Sequence, residues 1–382
     1  MLGVRTRIST FQTFVVASLL AASARTAAAD PLSDLPPPPP PPAQAPPPGA
    51  PPVNPVQQAE TLALFRTIAE KEQAYAGLLA KGELAEGPQV LREIRDLRAR
   101  TVPADHWLIR TIDVQIAQHE AIAALPEETQ ATAAKTIVAW KESAARLSGA
   151  NMADHIARMK ELSETLTKTL GEGSFLALEI ECHLSQLLLG AQRLGECRPV
   201  ASDTVTRSAA ILGENHPWSA AALSILATTD SNLGRWEDAA RESALALRVN
   251  ERLWGPDAPP CGMNLLSLAW AEIHQKRFDS AYRHADRAIS ILAPYQEQDP
   301  MNYATARRNA AHALMELKRH DEAKEEFVKL IEFVDRHPQI PPPHRRSGLS
   351  LYAELLTRME IRQDLLDVRK RIADLDASAQ TR

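Results

Sequence analysis

The sequence predicts an all-α protein built of repeated antiparallel helical hairpins, and three observations carry that prediction. From Gln57 onward Ala, Leu, Glu and Arg recur at three- and four-residue spacing with almost no alternation of β-branched residues, the period of helices rather than strands. Gly171, Gly213 and Gly255 stand 42 residues apart, with Glu297 next in the series, and Asn215, Asp257 and Asp299 follow two positions later. The segments LGRWEDAARESALAL from Leu233, QKRFDSAYRHADRAI from Gln275 and LKRHDEAKEEFVKLI from Leu317 superimpose on the same interval without gaps.

The amino terminus stands apart from this pattern. Arg5 and Arg7 precede an apolar run from Phe14 to Ala22 and then the small residues Ala27, Ala28 and Ala29, the order of a secretory signal cleaved after Ala29. The run is about half of the roughly 20 apolar residues a membrane-spanning helix needs, so no stable membrane insertion is expected after cleavage. Residues 31–55 hold 14 of the 28 prolines, seven of them consecutive from Pro36 to Pro42. Proline fixes φ and lacks an amide donor, so this stretch predicts an extended spacer of about 75 Å at about 3.1 Å per residue.

Loss of residues 1–29 removes three arginines and no acid, leaving 40 basic and 48 acidic side chains and a formal charge of −8. Such a surface repels nucleic acid unless a basic stripe overrides it, and no stripe is present. Cys182, Cys197 and Cys261 are too few and too odd in number for a disulfide framework. The register places Cys182 and Cys197 on facing helices, where one disulfide and two small buried apolar residues are equal readings.

Within each 42-residue unit the second helix carries Ala239, Ala281 and Ala323 in one column, with Ala246 and Ala288 two turns further on. A small residue recurring at one helical position lets two antiparallel backbones cross closely. Leu223, Leu226 and Ala227, matched by Leu265, Leu268 and Ala269, supply the facing side from the first helix. The turn inside the hairpin falls near Gly234 or Lys276. Between hairpins LGENHP, from Leu212, and WGPDAP, from Trp254, act as punctuation: glycine for a left-handed C-cap, Asn or Asp for an N-cap oxygen, proline for the first helical turn.

These residues resemble tetratricopeptide repeats of the 42-residue variety found in kinesin light chains and in secreted bacterial relatives, most clearly over 213–338. The resemblance implies a right-handed α-solenoid. Upstream the match thins: Cys197 occupies the alanine column one unit earlier, and His155 occupies it one unit before that. We therefore expect a signal peptide over 1–29, a proline-rich disordered linker over 30–56 and a degenerate repeat-like region over 57–128. The array proper is expected over 129–338, a capping hairpin over 339–377 and a disordered tail over 378–382.

No nucleotide-binding, serine-hydrolase or zinc-hydrolase signature occurs, and no cofactor, metal or catalytic activity is expected. Cys182 and His183 are neighbours in sequence, but adjacent helical residues point about 100° apart, which argues against a nucleophile and base. The resemblance implies a partner-binding concave face lined by the first helix of each hairpin. Carried over position by position, it comprises Ser224 and Thr228, then Leu266, Trp270 and His274, then Arg308, Asn309 and His312. The expected function is an exported scaffold, periplasmic or extracellular, that binds a protein or peptide. The alternative is an accessory subunit that positions or senses the substrate of an envelope peptidase or polysaccharide assembly system.

Overall fold

The structure, a computed structural model, describes residues 55–145 and 152–380; the expected signal segment and nearly all of the proline-rich linker lie outside the described residues. Among the described residues there are fifteen α-helices and no strand: α1 Pro55–Lys81, α2 Gly87–Arg98, α3 Trp107–Ala123, α4 Glu127–Ala145, α5 Met152–Leu170, α6 Phe175–Gly190, α7 Leu194–Leu212, α8 Pro217–Asn232, α9 Trp236–Trp254, α10 Pro259–His274, α11 Phe278–Leu292, α12 Pro300–Glu316, α13 His320–Arg336, α14 Pro342–Arg358 and α15 Arg362–Gln380. They form two compact units, one of residues 55–184 with 210–212, the other of residues 185–209 and 213–380.

In the carboxy-terminal unit each helix packs on the next from α8 to α15. The helices α7, α9, α11, α13 and α15 begin at Leu194, Trp236, Phe278, His320 and Arg362, every 42 residues. Two positions before each of these starts the backbone takes a positive φ, at Gln192, Gly234, Lys276, Lys318 and Glu360. The turn at Gly234 is closed by hydrogen bonds from Gly234 N–H to the Ser231 carbonyl (3.1 Å) and from Arg235 N–H to the Asp230 carbonyl (2.8 Å), the paired bonds of a Schellman cap. The same longer bond recurs at Arg193, Arg277, Arg319 and Ile361. Only one of these five left-handed positions is glycine, so the hydrogen-bonded cap holds the other four against a cost of roughly 1–2 kcal/mol each.

The residue after each left-handed position is arginine in four of the units, and in three of them its side chain closes over the following helix. Arg193 pairs with Glu196 (2.6 Å), Arg235 with Asp238 (2.7 Å) and Arg319 with Glu322 (2.7 Å). At Arg277 the third residue on is Ser280, which donates to the Arg277 carbonyl instead (3.0 Å). The small-residue column is completely buried at Cys197, Ala239, Ala281 and Ala323, and Ala246 and Ala288 are buried with it. Phe327, Leu330 and Leu355 join the core around α13 and α14, each contributing roughly 1.5–3 kcal/mol by its burial.

Punctuation between hairpins departs from expectation in detail. Gly213 (φ 94°, ψ 155°) and Gly255 (φ 88°, ψ 161°) end their helices in an extended positive-φ region rather than a left-handed one. That region is essentially closed to residues with a Cβ. Prolines do fill the first turns of α8, α10, α12 and α14. Of the expected N-cap oxygens only Asp299 serves, accepting from Asn302 N–H (3.3 Å). His216 caps α8 through Nδ1 (3.2 Å from Trp218 N), while Asn215 accepts from Arg252 and α10 has no side-chain cap. At Glu297 the glycine column lapses, and a 3-10 turn, Ala293–Tyr295, ends α11 early.

The amino-terminal unit is less regular. Helix α1 already begins at Pro55, inside the expected linker, and ends at Gly82 (φ 74°) before packing on α2, within the region expected to be repeat-like over 57–128. Gly87 opens α2 where an added Cβ would sit 2.9 Å from the His119 ring, so α3 approaches only because glycine stands there. His119 Nε2 meets the buried Tyr75 hydroxyl at 2.9 Å. At the other end of the chain α15 continues to Gln380, past the expected boundary at 377, because no glycine or proline interrupts it; residues 381–382 lie outside the described residues. All three cysteines are buried and form no disulfide, and Cys197 Sγ donates to the Ser185 carbonyl (3.2 Å).

Candidate functional site

Four of the eight residues expected to face a partner come together on α10 and α12. The Trp270 and His274 rings stand edge to face, 4.5 Å apart. Four residues separate them, so one turn of α10 brings them to the same side. His274 in turn stacks flat on Trp236 at 3.8 Å. The Arg308 guanidinium lies 5.2 Å from the centre of the Trp270 ring, an attraction worth roughly 0.5–2 kcal/mol depending on desolvation. His312 stands one turn beyond Arg308 on α12.

The electrostatics of this run are unusual for a surface. Arg308 makes a hydrogen bond to its neighbour Asn309 (3.2 Å), and its Nε is enclosed without a partner. It pairs with no carboxylate among the described residues, and burial pulls its guanidinium down to about 10. His312 Nδ1 is likewise enclosed and unpaired, and burial lowers the imidazole while Glu316 and Glu354 raise it. Burial also lowers His274. The run therefore offers a flat aromatic face, hydrogen-bonding imidazoles and a cation with unused donors.

The other four expected residues lie elsewhere. Ser224 and Thr228 are half-buried on α8, where Ser224 accepts from Asn264 (2.9 Å) and donates to the Ala220 carbonyl (2.9 Å), and Thr228 donates to the Ser224 carbonyl (2.8 Å). Leu266 belongs to the hydrophobic core. Asn309 is buried and donates to the Leu266 carbonyl (3.4 Å), tying α12 to α10. Asn309 sits one position around the helix from Arg308, about 100° away, which turns it inward; Leu266 lies one turn before Trp270 on α10 and is buried in the core. Trp236 is a member that the sequence did not offer. It opens α9, a second helix, and only the stacking on His274 places it here.

Two further clusters of ionisable groups are buried. In the amino-terminal unit His155 Nε2 and His183 Nε2 lie 3.2 Å apart, and His155 Nδ1 meets Ser143 (2.9 Å). Nearby, Lys141 lies 3.7 Å over the Trp140 ring, its ammonium disfavoured by burial and favoured by Glu179, whose carboxyl burial raises. His183 is pushed down to about 4 by burial and by His155 and Lys141. The neighbouring Cys182 is buried and forms no disulfide. In the carboxy-terminal unit the buried Asp230 accepts from Arg198 (2.6 Å) and pairs with Arg235 (3.3 Å). Burial and Asp230 together raise Glu242 to about 7. Among the described residues no group of three or more His, Cys, Asp or Glu side chains is arranged to hold a metal, and no helix is long and apolar enough to cross a membrane.

No family model matches the chain, and no curated relative matches it. Solved structures do. A kinesin light chain from Podosopora anserina with nearly identical TPR-like repeats is 16% identical, with a TM-score of 0.46, over 54% of this chain and 97% of that one. BtubC from P. vanneervenii is 14% identical, with a TM-score of 0.45, over 67% of this chain and 93% of that one. A Rap protein complexed with Competence and Sporulation Factor is 11% identical, with a TM-score of 0.45, over 83% of this chain and 100% of that one. Likenesses of this degree carry no argument about function. The 42-residue spacing of second-helix starts, the buried small-residue column and the recurring Schellman turn make the chain a tetratricopeptide-like, all-α helical-repeat protein.

Proposed function

We propose that the chain is an exported interaction scaffold that binds a protein or peptide on the face carrying Trp270, His274, Arg308 and His312. The observation that supports this most is Arg308, a desolvated guanidinium stacked on tryptophan that pairs with no carboxylate among the described residues. Trp and Arg are the residues that dominate protein interfaces, and a partner carboxylate would supply the missing counter-charge. Export is supported by the signal pattern of residues 1–29, and the proline-rich spacer suits a module held away from its site of exit.

Affinity capture from envelope extract tests this with tagged residues 30–382 beside a Trp270→Ala, Arg308→Met double variant of unchanged helicity. A partner retained by the parent and weakened in the variant by about 2 kcal/mol or more is the expected result. A partner held equally by both places the site elsewhere, and no reproducible partner removes the scaffold reading.

A further inference from the structure

A second feature of the carboxy-terminal unit shares only Arg308 with the aromatic run. Helices α12, α13, α14 and α15 line a cavity of about 290 Å³. Its apolar lining includes the buried Leu330, Val334 and Leu349 and the half-buried Ile331. The volume falls at the lower end of small-molecule sites, roughly 300–1,000 Å³, and suits a compact ligand better than a length of polypeptide.

The charges around the cavity do not cancel. Arg371 is neutralised by Asp335, to which it is ion-paired. Asp374 is exposed, at the solvent side. Arg345 donates to the Ile340 carbonyl (2.8 Å) and the His337 carbonyl (2.7 Å) and meets no carboxylate among the described residues. Arg308, also in the lining, meets none either. Two guanidinium groups without counter-charge beside an apolar surface are costly unless something anionic compensates them. A planar fork of N–H donors matches a carboxylate in two parallel bonds.

We propose that this cavity binds a small amphipathic carboxylate, its apolar body against Leu330, Ile331, Val334 and Leu349 and its anionic end between Arg308 and Arg345. Such a ligand is distinct from the protein or peptide assigned to the aromatic face, although Arg308 borders both.

Calorimetric titration of the purified full chain with decanoate, decan-1-ol and decyltrimethylammonium tests the proposal. Decanoate should bind saturably with one site, and the neutral and cationic chains at least about tenfold more weakly. Arg345→Met, at a position outside the aromatic run, should weaken decanoate by about tenfold and leave decan-1-ol unchanged. Ile331→Trp should abolish both by filling the cavity. Trp270→Ala should retain decanoate binding, which separates this site from the partner face. Equal binding of decanoate and decan-1-ol, or undiminished binding by a folded Ile331→Trp chain, overturns the proposal. So does tighter binding of an apolar peptide that is lost when its carboxyl end is amidated, since the occupant would then be a peptide terminus. Should Ile331→Trp lose helicity, the Arg345→Met comparison decides alone.

Discussion

The two units meet one packing requirement with different residues. Where the second helix of a hairpin crosses the first, the carboxy-terminal unit places Cys197, Ala239, Ala281 and Ala323, all completely buried, and the demand on the three alanines is size alone. In the amino-terminal unit the residue one period earlier is His155, also buried, and an imidazole there must also be hydrogen-bonded. Ser143 and His183 answer that need, and Lys141 and Glu179 lie buried in the same unit. A repeat survives in sequence when its residues answer to shape; it dissolves where a position is held by polar partners that keep no fixed spacing.

The sharpest way to test that contrast is pH, because the two clusters respond with opposite sign. His183 in the folded chain is depressed to about 4 from its ordinary 6.5. The unfolded chain therefore binds more protons between those values, and stability present above pH 6.5 is lost as pH falls towards 4, by about 3 kcal/mol. Glu242 is raised to about 7 from 4.5, so its contribution is complete below pH 4.5 and is lost as pH rises through 7. Urea unfolding from pH 4 to 8 should show the first dependence vanish in His183→Gln and the second in Glu242→Gln. Variants that keep the parent's pH profile would break the comparison.

Backbone substitutions give smaller effects, confined to the regular unit. Gly255→Ala forces a Cβ into φ 88°, ψ 161° and should cost about 1–3 kcal/mol, read as a fall in unfolding free energy. Lys276→Gly relieves a left-handed residue at φ 61° and should stabilise by about 1 kcal/mol. A Lys276→Gly chain less stable than the parent would mean that the lysine side chain, rather than the turn, holds this position.

Much of the regular unit was legible in the sequence. The helical period, the hairpin interval and the alanine column required only that one residue type return at one spacing, and the turn near Gly234 and Lys276 followed from them. The Schellman caps at Gln192, Lys318 and Glu360 were hidden because the main chain bonds the turn and leaves the side chain unspecified. The arginines at 193, 235, 277 and 319 form a visible column, yet the closure of Arg193, Arg235 and Arg319 onto Glu196, Asp238 and Glu322 depends on an N-cap geometry that spacing alone does not reveal. At the candidate site, position in the repeat brings Trp270, His274, Arg308 and His312 to neighbouring turns. It does not separate them from Asn309, which differs from Arg308 by a rotation of about 100°, or from Leu266, which shares a side of α10 with Trp270 and is covered by the core. The histidine pair 155 and 183, 28 residues apart, left no periodic trace.

The central claim is that a column of small residues sets the crossing of each hairpin in the carboxy-terminal unit. Parallel urea unfolding of Ala239→Leu, Ala281→Leu and Glu237→Ala tests it most directly. The account predicts losses of about 1–3 kcal/mol for both leucine variants, which overpack a buried crossing. It predicts a change within about 0.5 kcal/mol for Glu237→Ala, at an exposed position two residues away. Equal stability of all three chains would contradict the register on which the fold and the site both rest.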